Sequence, residues 1–186
     1  MSVRLCRKNR GLLFLIVFAT LLSSCGVKRE TTVAPSHRRL SQSEQEHISR
    51  QLGMPLSGRE NPALMREVAS WAGTPYRYGG SSRSGADCSG FVWNVYRSVY
   101  GKNLPRTTES MARETRRIRQ HRLREGDLVF FRTSGRKLSH VGIYLGNGHF
   151  AHVSSSRGFI INELDERYYA RRFARGGRPW LQKQPP

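Results

Sequence analysis

His140-Val141-Gly142-Ile143-Tyr144-Leu145-Gly146-Asn147-Gly148-His149-Phe150-Ala151-His152-Val153 alternates aliphatic with other residues on either side of a Gly-Asn-Gly centre. Alternation has the two-residue period of a strand, and glycine with asparagine supplies the positive backbone angles of a tight turn, so the stretch predicts a β-hairpin. Val141, Ile143 and Leu145 then share one face, and His140, Gly142 and Tyr144 share the other. A three-residue loop over 146–148 sets Leu145 opposite His149 and Gly142 opposite His152. His140 and His152 become diagonal neighbours on one face, about 7–8 Å apart at the backbone and within reach of two imidazoles. A two-residue Asn147-Gly148 turn would reverse the parity and part the rings.

Further strands are expected at 127–131, 159–162 and 168–173. Upstream the period becomes helical. Asn61 as cap and Pro62 in the first turn precede Leu64, Met65, Val68, Ala69 and Trp71, with a stop at Gly73. After a glycine-rich loop over 76–86, Asp87-Cys88-Ser89 opens a second helix whose Phe91, Val92, Val95, Tyr96 and Val99 line one face, closed by Gly101. Thr107 and Thr108 cap a third helix reaching about Arg116, and the Arg-rich stretch 116–124 is expected at the surface. Helices first and antiparallel strands after them define an α+β domain over 61–180, with 181–186 as a tail.

The N-terminal segment has a different character. Arg4, Arg7, Lys8 and Arg10 precede an apolar run from Gly11 to Leu22, the pattern of a secretory signal over 1–24 and too short to span a membrane as a helix. Leu22-Ser23-Ser24-Cys25 resembles a bacterial lipobox, which implies that Cys25 becomes the lipidated first residue of the mature chain. Gly26, where an aspartate would retain a lipoprotein in the inner membrane, implies the outer membrane, facing the periplasm. Residues 26–60 are polar, carry Pro35 and Pro55, and read as a flexible tether, with a short helix from Ser43 to Leu52 inside it as the weaker alternative. With Cys6 removed and Cys25 lipidated, Cys88 is left as the lone thiol, so no internal disulfide is possible. The net charge of +19 falls to +15 without the signal. Such a balance ordinarily raises nucleic-acid binding, but export excludes that partner and leaves wall polymers and lipid headgroups as the polyanions it meets.

Cys88 at a helix start meets unpaired N–H groups and the positive end of the helix dipole. These lower a thiol pKa and offer the Cys88 and Ser89 N–H groups to an oxyanion. Asp87 suits the N-cap, although its charge opposes the thiolate. With His140 as base and His152 orienting it, the three residues have the logic of a nucleophile triad. A zinc site made of the same three residues is the alternative, though no short-spaced ligand pair accompanies it.

Five motifs stand in order: Pro75-Tyr76-Arg77-Tyr78-Gly79-Gly80, Asp87-Cys88-Ser89-Gly90-Phe91-Val92, Leu104-Pro105-Arg106, Gly126-Asp127-Leu128-Val129-Phe130-Phe131 and His140-Val141-Gly142-Ile143-Tyr144. Together they resemble the NlpC family of papain-like cell-wall cysteine peptidases, over about 61–178. The resemblance implies Cys88, His140 and His152 as the catalytic set, and Tyr76 hydrogen-bonding near the oxyanion. It implies a papain-like fold and peptidoglycan stem peptides as substrate, cut at the D-glutamyl-diaminoacid bond or at the D,D cross-link. The chemistry needs no cofactor, and a monomer suffices for it. A non-catalytic wall-binding lipoprotein and a cysteine-dependent amidase or acyltransferase are the rival readings of the same residues.

Overall fold

The computed structural model describes residues 38–180. The signal, Cys25, His37, the first part of the tether and the 181–186 tail lie outside the described residues.

Segment 42–58 is not the free tether expected of its polar composition. Ser41 accepts the Glu44 N–H and starts α1 (Gln42–Leu52), and Gly53 ends it in the left-handed conformation. Its few apolar residues fall on one side, so Ile48 and Leu52, with Met54 beyond the helix, pack into the same core as Leu64, Met65 and Val68. Those three belong to α2 (Pro62–Ala69), whose cap Asn61 accepts from the Ala63 and Leu64 N–H groups at 3.0 and 3.2 Å. Arg66 joins α2 to α1 by pairing with both oxygens of Glu44. One apolar turn placed every third or fourth residue was enough to anchor an otherwise polar helix.

A two-stranded ribbon of β1 (Ser81–Ser82) and β2 (Gly85–Ala86) leads into α3 (Cys88–Tyr100). As expected, Asp87 caps α3, Gly101 terminates it, and Phe91, Val92, Val95 and Tyr96 are buried. Trp71, just past α2, meets the Phe91 ring edge-on at 5.4 Å and locks the two helices together. Thr107 caps α4 (Thr108–Arg113), which ends earlier than the expected 116 because the chain turns directly into a strand.

The main sheet has six antiparallel strands in the order β3-β8-β4-β5-β6-β7. These are β3 (Thr115–Ile118), β4 (Leu128–Phe131), β5 (His140–Gly146), β6 (His149–Ser154), β7 (Gly158–Glu163) and β8 (Phe173–Pro179). Two of them correct the sequence expectation. Residues 116–118, expected at the surface but not as a strand, belong to the edge strand β3, on which Arg116 and Arg117 are exposed as expected. The strand expected at 168–173 is instead the short helix α5 (Arg167–Ala170), and the strand begins only at Phe173. Tyr169 of that helix turns onto Phe131 and Phe150. β8 escaped notice because Gly176 and Gly177 break its pattern. They are required by space: a Cβ on Gly177 would lie 2.4 Å from Thr115 Oγ1 and 2.7 Å from the Phe130 ring. Two arginines of the basic C-terminal stretch are structural, Arg178 through a two-pronged pair with buried Asp127 and Arg175 through the Thr115 carbonyl and hydroxyl.

The hairpin keeps the expected parity by an unexpected route. Its turn has two residues, Asn147 and Gly148, with φ of 49° and 84°, and Gly146 pairs with His149. That register alone would separate the histidines. A bulge at Leu145 shifts the ladder by one, so Tyr144 pairs with Phe150 and Ile143 with Ala151, and the same register continues Gly142 opposite His152. Val141, Ile143 and Leu145 therefore enter the helix-side core with Leu128, Phe130, Ala151 and Val153. The opposite face carries Val129, Phe131 and Phe150, with Leu164 and Tyr169 over them.

If α1 belongs to the domain, Leu52→Ala removes a buried side chain and lowers unfolding stability by about 2–3 kcal/mol, whereas the exposed His47→Ala changes it by no more than about 0.5 kcal/mol. Urea unfolding of both variants checks this, and equal midpoints would return the segment to the role of a tether.

Candidate active site

Cys88 is the first residue of α3, and a polar clamp fixes the helix start. Asp87 Oδ1 accepts the Gly90 N–H at 2.6 Å and the Ser89 hydroxyl at 2.9 Å, while Oδ2 accepts the Gly79 N–H at 2.9 Å. Arg106 closes the clamp, donating to Asp87 Oδ1 at 3.0 Å, to Ser89 Oγ at 2.9 Å and to the Gly79 and Gly80 carbonyls at 3.0 and 2.8 Å. Burial works to raise the Asp87 carboxyl, but Arg106, the Gly90 N–H and Ser89 outweigh it and hold the group below its usual range. Both Asp87 and the Ser89 hydroxyl are thus committed to positioning the helix. Of Ser89 only the backbone N–H is directed to the sulfur.

Tyr76 lies in the same cleft as Cys88, held by backbone pairing between Pro75, Arg77 and Ala86 just ahead of Asp87. It lines a cleft of about 530 Å³ together with Cys88, Tyr78, Thr108, Leu138 and Ser139. The Cys88 sulfur stands 4.0 Å from the Thr108 hydroxyl, in a cleft that Leu138 and Ser139, just before His140, also line, and the Val141 N–H acts to lower its pKa. A larger recess of about 850 Å³ near Asn61, Glu125 and Arg178 contains no nucleophile.

The two histidines meet as the hairpin parity requires. His140 Nε2 and His152 Nδ1 are 3.0 Å apart, with the rings nearly perpendicular. Gly142 between them has no room for a side chain, since a Cβ would lie 2.7 Å from the Ala151 carbonyl and 2.8 Å from the Phe150 ring. His152 has no exposed surface and stacks on Phe150. Its Nε2 lies 2.9 Å from Asn162 Oδ1 and 3.2 Å from the Tyr169 hydroxyl. Asn162 in turn donates to both oxygens of Glu166, which also accepts the Glu163 N–H. Three of the four ring nitrogens are engaged in this chain, leaving Nδ1 of His140. That arrangement is a relay rather than a ligand set, and among the described residues no three His, Cys, Asp or Glu gather to hold a metal.

The electrostatics correct one expectation. Burial pushes the Cys88 thiol up, and the Asp87 charge adds to this. The Val141 N–H, the Thr108 hydroxyl and the Ser89 N–H oppose the rise without reversing it, so the helix start does not lower the pKa. Burial also takes His140 down to about 3, with His152 adding to the effect, and His152 down to about 4. The Cys88 thiol and both imidazoles are therefore neutral at rest.

Sequence reasoning missed Thr108, Asn162, Glu166 and Tyr169, and quoted Arg106 without a role. Each acts through a contact that no local period encodes. Of the remaining histidines, His47 and His121 are exposed, and His149 faces Glu163 at 3.4 Å.

With this geometry in hand, comparison with known proteins is informative. The model of the NlpC/P60 family matches residues 73–178. The chain is 37% identical to the murein DD-endopeptidase MepS/murein LD-carboxypeptidase of Escherichia coli K12 over 168 residues, which cover 85% of this chain and 86% of that protein. It is 46% identical to the probable endopeptidase NlpC of the same organism over 111 residues, 59% of this chain and 72% of the relative. Among solved structures, an NlpC/P60 family protein from Bacillus cereus superposes with a TM-score of 0.58 at 31% identity, covering 64% of this chain and 39% of that one.

Two histidines held neutral in the fold titrate near 6.5 once it opens, so the unfolded chain binds more protons and stability falls as pH drops from about 6.5 toward 4. Glu44, Glu60 and Asp87, with carboxyls held low, lose stability only below about 4.5, whereas burial raises the Glu125 carboxyl, which takes up a proton in the folded chain above that value and partly offsets the imidazoles. Unfolding free energy measured from pH 5.5 to 4.5 should vary with a net uptake of between about one and two protons, two from the imidazoles less the part that Glu125 already holds in the folded chain, and His152→Gln should lower that uptake by about one. A flat profile would mean that the rings are not held neutral.

Proposed function

The chain belongs to the NlpC/P60 family, and on that premise we propose that it is a peptidoglycan hydrolase, a cysteine endopeptidase with Cys88 as nucleophile, His140 as base and His152 orienting the base. The observation that carries the reading is a helix-start cysteine in an open cleft that Leu138 and Ser139 also line, directly before a strand whose first residue is a histidine bonded to a second, buried one. The resting groups are neutral, so the thiol proton passes to His140 Nδ1 as sulfur attacks the stem-peptide carbonyl, not before. Negative charge moves to the carbonyl oxygen, where the helix-start N–H groups and Tyr76 receive it. The imidazolium then protonates the leaving amine, and water hydrolyses the thioester. Every step uses groups of the chain itself.

Near full-length similarity to a murein DD-endopeptidase favours the D,D cross-link over the D-glutamyl bond within one stem. The lipobox-like Leu22-Ser23-Ser24-Cys25 supports a lipid anchor at Cys25, with the domain held at the outer membrane and facing the periplasm. In that setting exposed arginines such as Arg116, Arg117 and Arg119 meet anionic wall polymers and headgroups.

Incubating residues 26–186 with purified cross-linked and uncross-linked muropeptides, with products read by mass spectrometry, tests this reading. Loss of the cross-linked species to monomers is expected, with none from Cys88→Ala and a loss of at least about 100-fold in His140→Ala. Turnover by the alanine variant, or none by the native chain on any muropeptide, would overturn it.

A further inference from the structure

We propose that Glu166, acting through Asn162, sets which nitrogen of each imidazole carries its proton, and so makes Nδ1 of His140 the atom that accepts the proton of Cys88. This rests on the reading of His140 as the base and extends it to two positioning residues outside the triad.

The direction of every hydrogen bond in the chain follows from its far end. Glu166 presents two carboxylate oxygens, and a carboxylate only accepts. The Asn162 amide lies 2.7 and 2.8 Å from those oxygens, so the group turned toward Glu166 must be its NH2. Glu166 cannot swing aside easily, because the Glu163 N–H holds it at 2.8 Å. The Asn162 oxygen then faces His152 Nε2, and an oxygen there requires that Nε2 carry hydrogen. The Tyr169 oxygen at 3.2 Å accepts from the same N–H. A neutral imidazole has one N–H, so His152 Nδ1 is a lone pair, and the neighbour it faces at 3.0 Å, Nε2 of His140, must be the donor. That leaves Nδ1 of His140 unprotonated. Asn162 is 7% exposed and His152 not at all, so water has little access to supply a competing partner.

Replacing the acceptor at 166 with a donor reverses the logic. In Glu166→Lys the Asn162 oxygen turns to the ammonium and its NH2 turns to His152, so His152 becomes Nδ1–H and His140 becomes Nδ1–H as well, a form with no lone pair at the nitrogen the relay leaves free. A carboxylate at 162 cures this, because it offers His152 only acceptors whichever way it lies. The Asn162→Asp/Glu166→Lys double variant therefore restores the original tautomers.

Nitrogen-15 spectra of histidine-labelled protein, read through the two-bond couplings to ring protons, identify each tautomer without any substrate. The native chain should show Nε2–H at both His140 and His152. Glu166→Lys should show Nδ1–H at His140, with muropeptide turnover and iodoacetamide alkylation of Cys88 reduced about 100-fold, and the double variant should recover both to within about tenfold. Native protein with Nδ1–H at His140, or Glu166→Lys with unchanged spectra, would overturn the proposal. If Glu166→Lys does not fold, Glu166→Gln, which keeps the size and offers one donor and one acceptor, should show both tautomers together, and a single one would equally overturn it. Because the spectra need no substrate, a chain that cuts no muropeptide yet shows these tautomers fails the functional reading and keeps the part of this one that assigns the protons through Glu166 and Asn162.

Discussion

A side chain on a strand has two places to be, above the sheet or below it, and a slip of one residue in pairing exchanges them. His140 and His152 sit on neighbouring strands twelve residues apart, so whether they touch depends on the count of residues around one turn. The turn taken, Asn147-Gly148, gives the wrong count, and the bulge at Leu145 restores it. With that register the aliphatic side of β5 and β6 covers the helices, the imidazoles gather with Phe131, Phe150 and Tyr169, and the first residues of β5 reach the start of α3. The site straddles the end of one strand, with sulfur toward the helix-side core and rings toward the other face.

Burial makes this arrangement ordered, and it also restrains its reactivity. A helix start favours a thiolate and a cysteine-histidine pair favours charge separation, yet desolvation acts on both partners and pushes the thiol up and the imidazoles down. Asp87 shows how the competition is settled locally. It is needed to cap α3, its charge would hinder the sulfur, and Arg106 takes up that charge through a fork that also grips the loop carbonyls. The same residue that neutralises the cap therefore shapes the wall of the cleft.

Much of this was legible in the residues. Caps are local chemistry, and Asn61, Asp87 and Thr107 all mark helix starts where the sequence places them. The alternation in β5 and β6 was equally plain, and with it the facing of the histidines, although the assumed three-residue loop reached the right parity by a different count. What stayed hidden depends on distant partners. β3 is a strand because β8 pairs with it, and β8 is disguised by two glycines that the neighbouring Thr115 and Phe130 demand. Segment 42–58 looked like a linker because it is polar and carries few large apolar residues, yet Ile48, Leu52 and Met54 among them are buried. Asn162 and Glu166 carry no signature at all, since their meaning lies in what stands at the far end of a hydrogen bond.

The strand order has a consequence for how the molecule is assembled. β8 is the latest strand among those described, yet it lies in the interior of the sheet, between β3 and β4. β4 to β7 are consecutive in the chain and can pair as hairpins as soon as they are made, but β3 has to wait for a segment nearly sixty residues downstream. Until then one flank of β4 is an open edge, able to pair with whatever strand is near. A chain emerging from a ribosome or a translocation channel thus carries its hairpin early and its closed sheet late, and the arginines of β8 deliver the partner of buried Asp127 only at that final step.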